Sequence, residues 1–136
     1  MQTPDPGSQV LIVEDDPALR EVYADALLGE GYAVSLAANG SEALDVLSAG
    51  PDLPCAVLLD LRMPVMSGWE LADRLQKSEQ WNTLPIVVVA AHYLVADEAQ
   101  RIGAKAWLQK PVRLDRLLAT VRDLCPEPSA GPSAAN

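Results

Sequence analysis

Four side chains in this sequence have types and neighbours suited to chemistry: Glu14, Asp15, Asp60 and Lys110. Asp60 follows the apolar run CAVLL, Cys55 to Leu59, and opens the Pro- and Gly-bearing loop LRMPVMSG. Such a run reads as a strand buried on both faces, and a carboxylate at its end costs free energy unless something pairs with it. Glu14 and Asp15 likewise follow the run VLIV, with Asp16-Pro17 next, and Lys110-Pro111 follows AWLQ. If these ends meet, three carboxylates face one lysine. Two like charges about 4 Å apart at an effective dielectric near 20 repel by about 4 kcal/mol, more than one lysine offsets for three acids. The cluster then needs a cation. A few hard oxygen ligands with room for water suit Mg²⁺ better than an all-protein Ca²⁺ cage, and there is no soft Cys/His set for zinc. In that setting Asp60 is a metal ligand and also a nucleophile able to attack phosphorus, with Mg²⁺ and Lys110 stabilising the added charge.

Positioning these residues is the task of the elements around them. The run Val10 to Val13 gives way to a helical pattern in which Leu19, Val22, Tyr23, Ala26 and Leu27 share a face, with Asp16 as cap, Pro17 in the first turn and Gly29 and Gly31 as stop. Tyr32 to Leu36 is a second strand, and Ser41 opens a second helix that ends at Gly50-Pro51. Cys55 to Leu59, closed by Asp60, is the third strand, and Trp69, Leu71, Ala72 and Leu75 mark a third helix. Pro85 to Ala91 is a β-branched run without polar alternation, hence a fourth buried strand. A weak helix from Val95 to Ile102 stops at Gly103, Ala106 to Gln109 is a fifth strand, and Leu114, Leu117, Leu118, Val121 and Leu124 form the face of a last helix. Five βα units with unalternating strands predict an α/β fold, a parallel five-stranded sheet covered on both faces by right-handed crossovers. Ligands of such sheets bind outside the carboxyl ends of the strands, where Glu14-Asp15-Asp16, Asp60, Ala90-Ala91-His92 and Lys110-Pro111 fall.

Composition narrows the classes further. At 136 residues the chain fits one domain. No apolar run approaches the length of a membrane span and no signal segment opens the chain, so a cytoplasmic protein without a membrane partner is expected. Nineteen acidic against ten basic residues, a formal charge of −9, oppose direct nucleic-acid binding, which needs a Lys/Arg footprint. Residues 1–9 read as a loose leader, 10–125 as the domain, and 126–136 as a disordered tail or the start of a linker. Cys55 and Cys125 have neither metal-ligand spacing nor a disulfide framework and are expected as packed, reduced thiols.

Taken singly, each piece has a plainer reading. Glu14-Asp15-Asp16 can be a solvated loop whose Asp16 only caps a helix, and Lys110-Pro111 an ordinary loop start. Arg62 and His92 suit solvent-facing loops, and Met63 and Met66 suit packing. The coincidence of acids and a lysine at the ends of separate strands is what surface decoration does not explain.

With these motifs in place, the chain from Val10 to Leu124 resembles the receiver domain of two-component response regulators, in a single-domain form. LIVEDD aligns the family's acidic pair on Glu14 and Asp15, LLDLRMPVMSG places the phosphorylated aspartate at Asp60, and QKP matches the family's Lys-Pro at Lys110 and Pro111. The resemblance implies a flavodoxin-like doubly wound (βα)₅ fold with strand order 2-1-3-4-5 and a cis Lys110-Pro111 peptide. It implies Mg²⁺ held by Asp15, Asp60 and the backbone carbonyl of Arg62, with Glu14 acting through water and Lys110 reaching the phosphoryl group. It also implies a phosphohistidine donor, either a histidine kinase or a histidine phosphotransfer protein, and a downstream protein target. The catalysis implied is limited to the domain's own phosphorylation and dephosphorylation, and the family allows a homodimer through the fourth helix, fifth strand and fifth helix. One position departs from the pattern. The switch Thr or Ser near the end of the fourth strand is Ala90, and its aromatic partner on the fifth strand is Trp107.

Three other readings compete. A receiver-like interaction module acting without phosphorylation is motivated by Ala90. A haloacid-dehalogenase-type phosphatase needs a second carboxylate two residues after the nucleophile, where Arg62 stands. A flavin-binding fold would place its phosphate against Glu14 and Asp15, which repel it.

Overall fold

Strands without polar alternation must be covered on both faces, and the three central strands are, while the two edge strands stay partly exposed. The computed structural model describes residues 9–50 and 52–126. Their elements run β1 (Gln9–Val13), α1 (Pro17–Gly29), β2 (Ala33–Ala37), α2 (Gly40–Ala49), β3 (Ala56–Asp60), α3 (Gly68–Gln76), β4 (Ile86–Ala91), α4 (His92–Ile102), β5 (Ala106–Lys110) and α5 (Leu114–Leu124). All strand pairs are parallel and the order is β2-β1-β3-β4-β5, the flavodoxin-like arrangement. Alternation along the inner strands feeds two cores. Leu11, Val13, Val57 and Leu59 pack with residues of α2, α3 and α4 such as Leu47, Leu71 and Ile102. Val10, Ile12, Ala56 and Leu58 pack with residues of α1 and α5 such as Leu27, Leu117 and Val121. Burying a side chain of this size contributes about 1.5 to 3 kcal/mol, so β1 and β3 form the rigid centre from which the acidic residues project.

Helix starts follow local hydrogen bonding. The Asp16 carboxylate accepts from the amides of Ala18 and Leu19, and Pro17 takes the first helical position. Asn39 rather than Ser41 opens α2, accepting from the Glu42 amide while the Glu42 carboxylate accepts from the Ala38 amide. α4 begins at His92, ahead of the expected Val95, behind Ala91, which has no side chain to cap it. On α1 the buried face is Tyr23, Ala24 and Leu27; Val22, placed on that face by periodicity, is exposed. β2 covers Ala33–Ala37 and β5 extends to Lys110. Gln9, assigned above to the leader, belongs to β1: it pairs with Ala33, and its carbonyl accepts from the Cys55 amide at 2.8 Å. Residues 1–8 and 127–136, the rest of the expected leader and tail, lie outside the described residues, as does Pro51.

The expectation of two reduced thiols is overturned. Cys55, just before β3, and Cys125, just after α5, are joined by a disulfide with a Cα–Cα separation of 5.3 Å. The reason is topological. α5 runs back along the sheet against the strand direction, so its last residue arrives at the edge where β3 begins. On a chain-entropy account, closing a loop with a sequence separation of 70 contributes about 4 kcal/mol. Among the described residues no helix is long and apolar enough to cross a membrane.

Candidate functional site

The carboxyl edge of the sheet collects the residues singled out by sequence. Glu14 follows β1, and its amide donates to the Ala37 carbonyl at 3.0 Å, tying the acidic loop to the end of β2. The Asp16 amide donates to Glu14 Oε2 at 3.1 Å, and Arg20 Nη1, from the first turns of α1, donates to the Glu14 carbonyl at 2.8 Å. Asp60 is the last residue of β3, in register with Val89, and is 4% exposed. Lys110 is the last residue of β5, and its Nζ lies 3.2 Å from Asp60 Oδ1 and 3.5 Å from Glu14 Oε1. The Lys110-Pro111 peptide is cis. The loop after Asp60 folds back on it so closely that a Cβ at Gly68 would sit 2.4 Å from the Asp60 carbonyl oxygen. The Gly68 amide donates to the Leu61 carbonyl at 2.9 Å, so only glycine lets α3 start against the strand.

Together these residues wall a cavity of about 310 Å³ lined by Glu14, Asp15, Asp60, Arg62, Ala90 and Lys110, among others. Carboxylate oxygens of Glu14, Asp15 and Asp60 all lie within 4.8 Å of one another. Burial, then repulsion from Asp60, pushes Glu14 up to about 7. Burial also raises Asp60, against the pull of Lys110. Burial lowers Lys110, but attraction from Asp60 and Glu14 outweighs it and the amine is held above its ordinary value. Tyr23, beneath the cluster, is raised to about 12 by burial and the neighbouring carboxylates. The site is therefore short of positive charge even with Lys110 in place. Glu14 Oε1 is buried without a hydrogen-bond partner. Three mutually repelling carboxylates, with Glu14 Oε1 left with a long 3.5 Å ion pair to Lys110 in place of a hydrogen bond, fit a small divalent cation.

Not every expected residue converges here. Ala90 lines the cavity with a methyl group, whereas Trp107 is half exposed on β5 and lines a separate cavity with Arg113 and Arg116. Met66 is buried in the core, and Met63 packs against it. The side chain of His92 lies outside the described ones. Arg20 was not read from the sequence; the available signal was a cation one turn after the capping Asp16, on the helix that must start beside the acidic pair. Nor was the tether between α3 and α4, in which Trp69 Nε1 donates to the buried Glu98 carboxylate at 2.5 Å.

A family model described as the response regulator receiver domain matches residues 10–122, nearly all of the described fold. The chain belongs to that family. This receiver domain is 39% identical over 133 residues to the response regulator MprA of Mycolicibacterium vanbaalenii, covering 93% of this chain and 56% of that protein. It is 38% identical over 118 residues to MprA of Mycobacterium avium, covering 85% of this chain and 50% of that protein. The chain thus spans about half the length of these curated relatives. Among solved structures, the chemotaxis response regulator CheY4 of Vibrio cholerae superposes with a TM-score of 0.76 at 29% identity, covering 86% of this chain and 98% of that one. The response regulator TrrA of Thermotoga maritima, in complex with Mg²⁺-BeF, superposes with a TM-score of 0.74 at 30% identity, covering 86% and 98%.

Proposed function

We propose that this receiver domain accepts a phosphoryl group on Asp60 from the phosphohistidine of a histidine kinase or a histidine phosphotransfer protein, and that the phosphorylated surface is read by a downstream protein, in the cytoplasm. The observation that carries this reading is the position of Asp60: at the end of a core strand, 3.2 Å from Lys110 and within reach of two further carboxylates. An Asp60 oxygen attacks phosphorus, the N–P bond breaks, and the departing imidazole takes up a proton. Lys110 is placed to pair with the transferred oxygens while remaining within reach of Glu14. Glu14, Asp15 and Asp60, with the carbonyl of Arg62, would hold Mg²⁺, whose charge when bound offsets that of the carboxylates and the phosphoryl oxygens. Arg20 and the Ala37 carbonyl keep the acidic loop in register, and Gly68 lets the loop after Asp60 close over its backbone. The structure of TrrA with Mg²⁺-BeF supports this use of the fold by likeness.

A second reading rests on Ala90. A methyl group there offers the transferred oxygens no donor, so binding of the target can be independent of phosphorylation. One experiment bears on both. Incubation with Mg²⁺ and acetyl phosphate should add one base-labile group of about 80 Da, the mass of HPO₃, that is absent with EDTA and absent in Asp60→Asn. Undiminished labelling of Asp60→Asn would remove the assignment; labelling that leaves target binding unchanged would favour the second reading.

A further inference from the structure

The edge of the sheet away from Asp60 carries a covalent site that phosphoryl chemistry does not use. Cys55 is half-buried at the entry to β3, and Cys125 is buried at the end of α5 among the residues packed on Val10 and Val121. The geometry suits both redox states. Joined, the Cα atoms stand 5.3 Å apart, within the range a disulfide requires. Separated, each thiol has a place: Gln9 O lies 3.3 Å from Cys55 Sγ, positioned to accept from its S–H, and Cys125 packs as a small apolar side chain in the core. Cys125 is also where α5 ends, its amide bonded to the Val121 carbonyl at 2.8 Å.

We propose that Cys55 and Cys125 form a reversible dithiol/disulfide site, exchanging with small thiols and disulfides, whose state sets whether the last turn of α5 is fastened to the start of β3. Oxidation enters at the more accessible Cys55. Its thiolate attacks a low-molecular-weight disulfide, forming a mixed disulfide and releasing one thiol. The Cys125 thiolate then attacks the Cys55 sulfur, closing the internal bond and releasing the second thiol. Two electrons pass from the cysteines to the external disulfide, and their two protons end on the released thiols. Reduction by a dithiol retraces these steps. The cross-link lies away from Asp60, so the conformational response falls at the end of α5 and at residue 126, beside a general loss of stability.

The test uses the full chain. After glutathione disulfide, the protein should be monomeric, about 2 Da lighter than the reduced form by the loss of two hydrogens, and inert to iodoacetamide even in denaturant; dithiothreitol applied without denaturant and then removed should restore two thiols, counted by iodoacetamide after unfolding. Hydrogen exchange at 121–125 should then quicken roughly tenfold or more at times when 57–59, which open only with the whole domain, are still protected. Cys55→Ser and Cys125→Ala should each show the fast exchange with or without dithiothreitol. Two alkylated cysteines after oxidation, a bond only between molecules, a bond that yields to dithiothreitol only in denaturant, or unchanged exchange at the end of α5 would each overturn the proposal.

Discussion

The two edges of the sheet close the same five strands with opposite chemistry. At the carboxyl edge, buried acids repel one another around a single lysine, and Gly68 and Val65 hold backbone positions that most residues would not take. At the amino edge, chain segments 70 residues apart are tied by a covalent bond in the apolar core beneath α1 and α5. The difference separates two demands on one small domain. Under the proposed function, the reactive edge is left short of favourable interactions that a cation and a phosphoryl group would supply, and the far edge compensates with cross-linking and packing.

The largest expected effect removes the compensation. Cys55→Ser with Cys125→Ser should lower unfolding free energy by up to about 4 kcal/mol, read from the shift of the urea midpoint at constant slope. Asp60 labelling by acetyl phosphate should be unchanged, because α5 starts, but does not end, beside Lys110. A double variant with the stability of wild type, or one that folds normally but no longer labels, would break the division of the molecule into a reactive and a stapled edge.

The reactive edge should show its repulsion as a pH dependence. The folded protein holds the Glu14 proton up to about pH 7, well above the 4.5 of the free side chain. Across that window the native state binds more protons than the unfolded state. Stability is therefore full below pH 4.5 and falls as pH rises toward 7, by at most about 3 kcal/mol for this group. Lys110 acts outside this window, its contribution being lost only at strongly alkaline pH. Urea unfolding in EDTA at pH 5 and pH 8 measures the fall, and Glu14→Gln should flatten it. Restoring Mg²⁺ should recover stability at pH 8 and do little at pH 5. Equal wild-type midpoints at the two pH values in EDTA would show that the acids are not in conflict.

How much of this was legible in the sequence follows the same division. Unalternating runs such as VLIV and PIVVVAA gave the strands, and the rule that ligands sit at strand ends brought Glu14, Asp60 and Lys110 to one edge before any contact was known. The disulfide was missed because cysteine spacing speaks of local frameworks, whereas Cys55 and Cys125 meet through topology. In a βα fold every strand start and every helix end lie at the amino edge, so that meeting was available once the elements were placed. The start of α4 was missed for lack of a capping side chain at Ala91, and the face of α1 because helical periodicity does not distinguish Val22 from Ala24 until the partner surface of α5 is known. Gly68 was visible as a loop glycine, but its need came from a 2.4 Å approach that no local pattern encodes.

A smaller effect concerns the donor that Ala90 lacks. A hydroxyl at this cavity-lining position can donate to a charged phosphoryl oxygen, an interaction worth about 1.5 to 3 kcal/mol, enough to shift a two-state loop by roughly ten- to a hundredfold. Trp69 is the reporter to keep, since its indole bonds Glu98 on α4 and its removal would leave a buried carboxylate without that donor. With Trp81→Phe and Trp107→Phe in place, the emission change on adding Mg²⁺ and beryllium fluoride should be small with Ala90 and larger with Ala90→Thr. A response of equal size in both backgrounds would show that the missing hydroxyl does not uncouple the reactive edge.

The smallest effect tests whether the reactive edge also stores backbone strain. Val65, in the loop between Asp60 and Gly68, has φ 69°, a left-handed conformation disfavoured for a β-branched residue, and its side chain is 80% exposed. Nothing apolar is lost by changing it. Left-handed geometry costs a side-chain-bearing residue roughly 1 to 2 kcal/mol, and glycine returns about 0.5 to 1 of that through the greater freedom of its unfolded state. Val65→Gly should therefore stabilise by less than about 1 kcal/mol, and Val65→Asn, which tolerates the conformation without glycine's entropy, by about as much. Both gains should appear as higher urea midpoints with the disulfide intact and persist in the cysteine-free double variant, because the loop and the staple lie at opposite edges and share no partner. A loss of stability in both Val65 variants would mean that this side chain contributes a contact its exposure does not reveal; a gain that vanished with the disulfide would mean that the two edges are coupled through the strands between them.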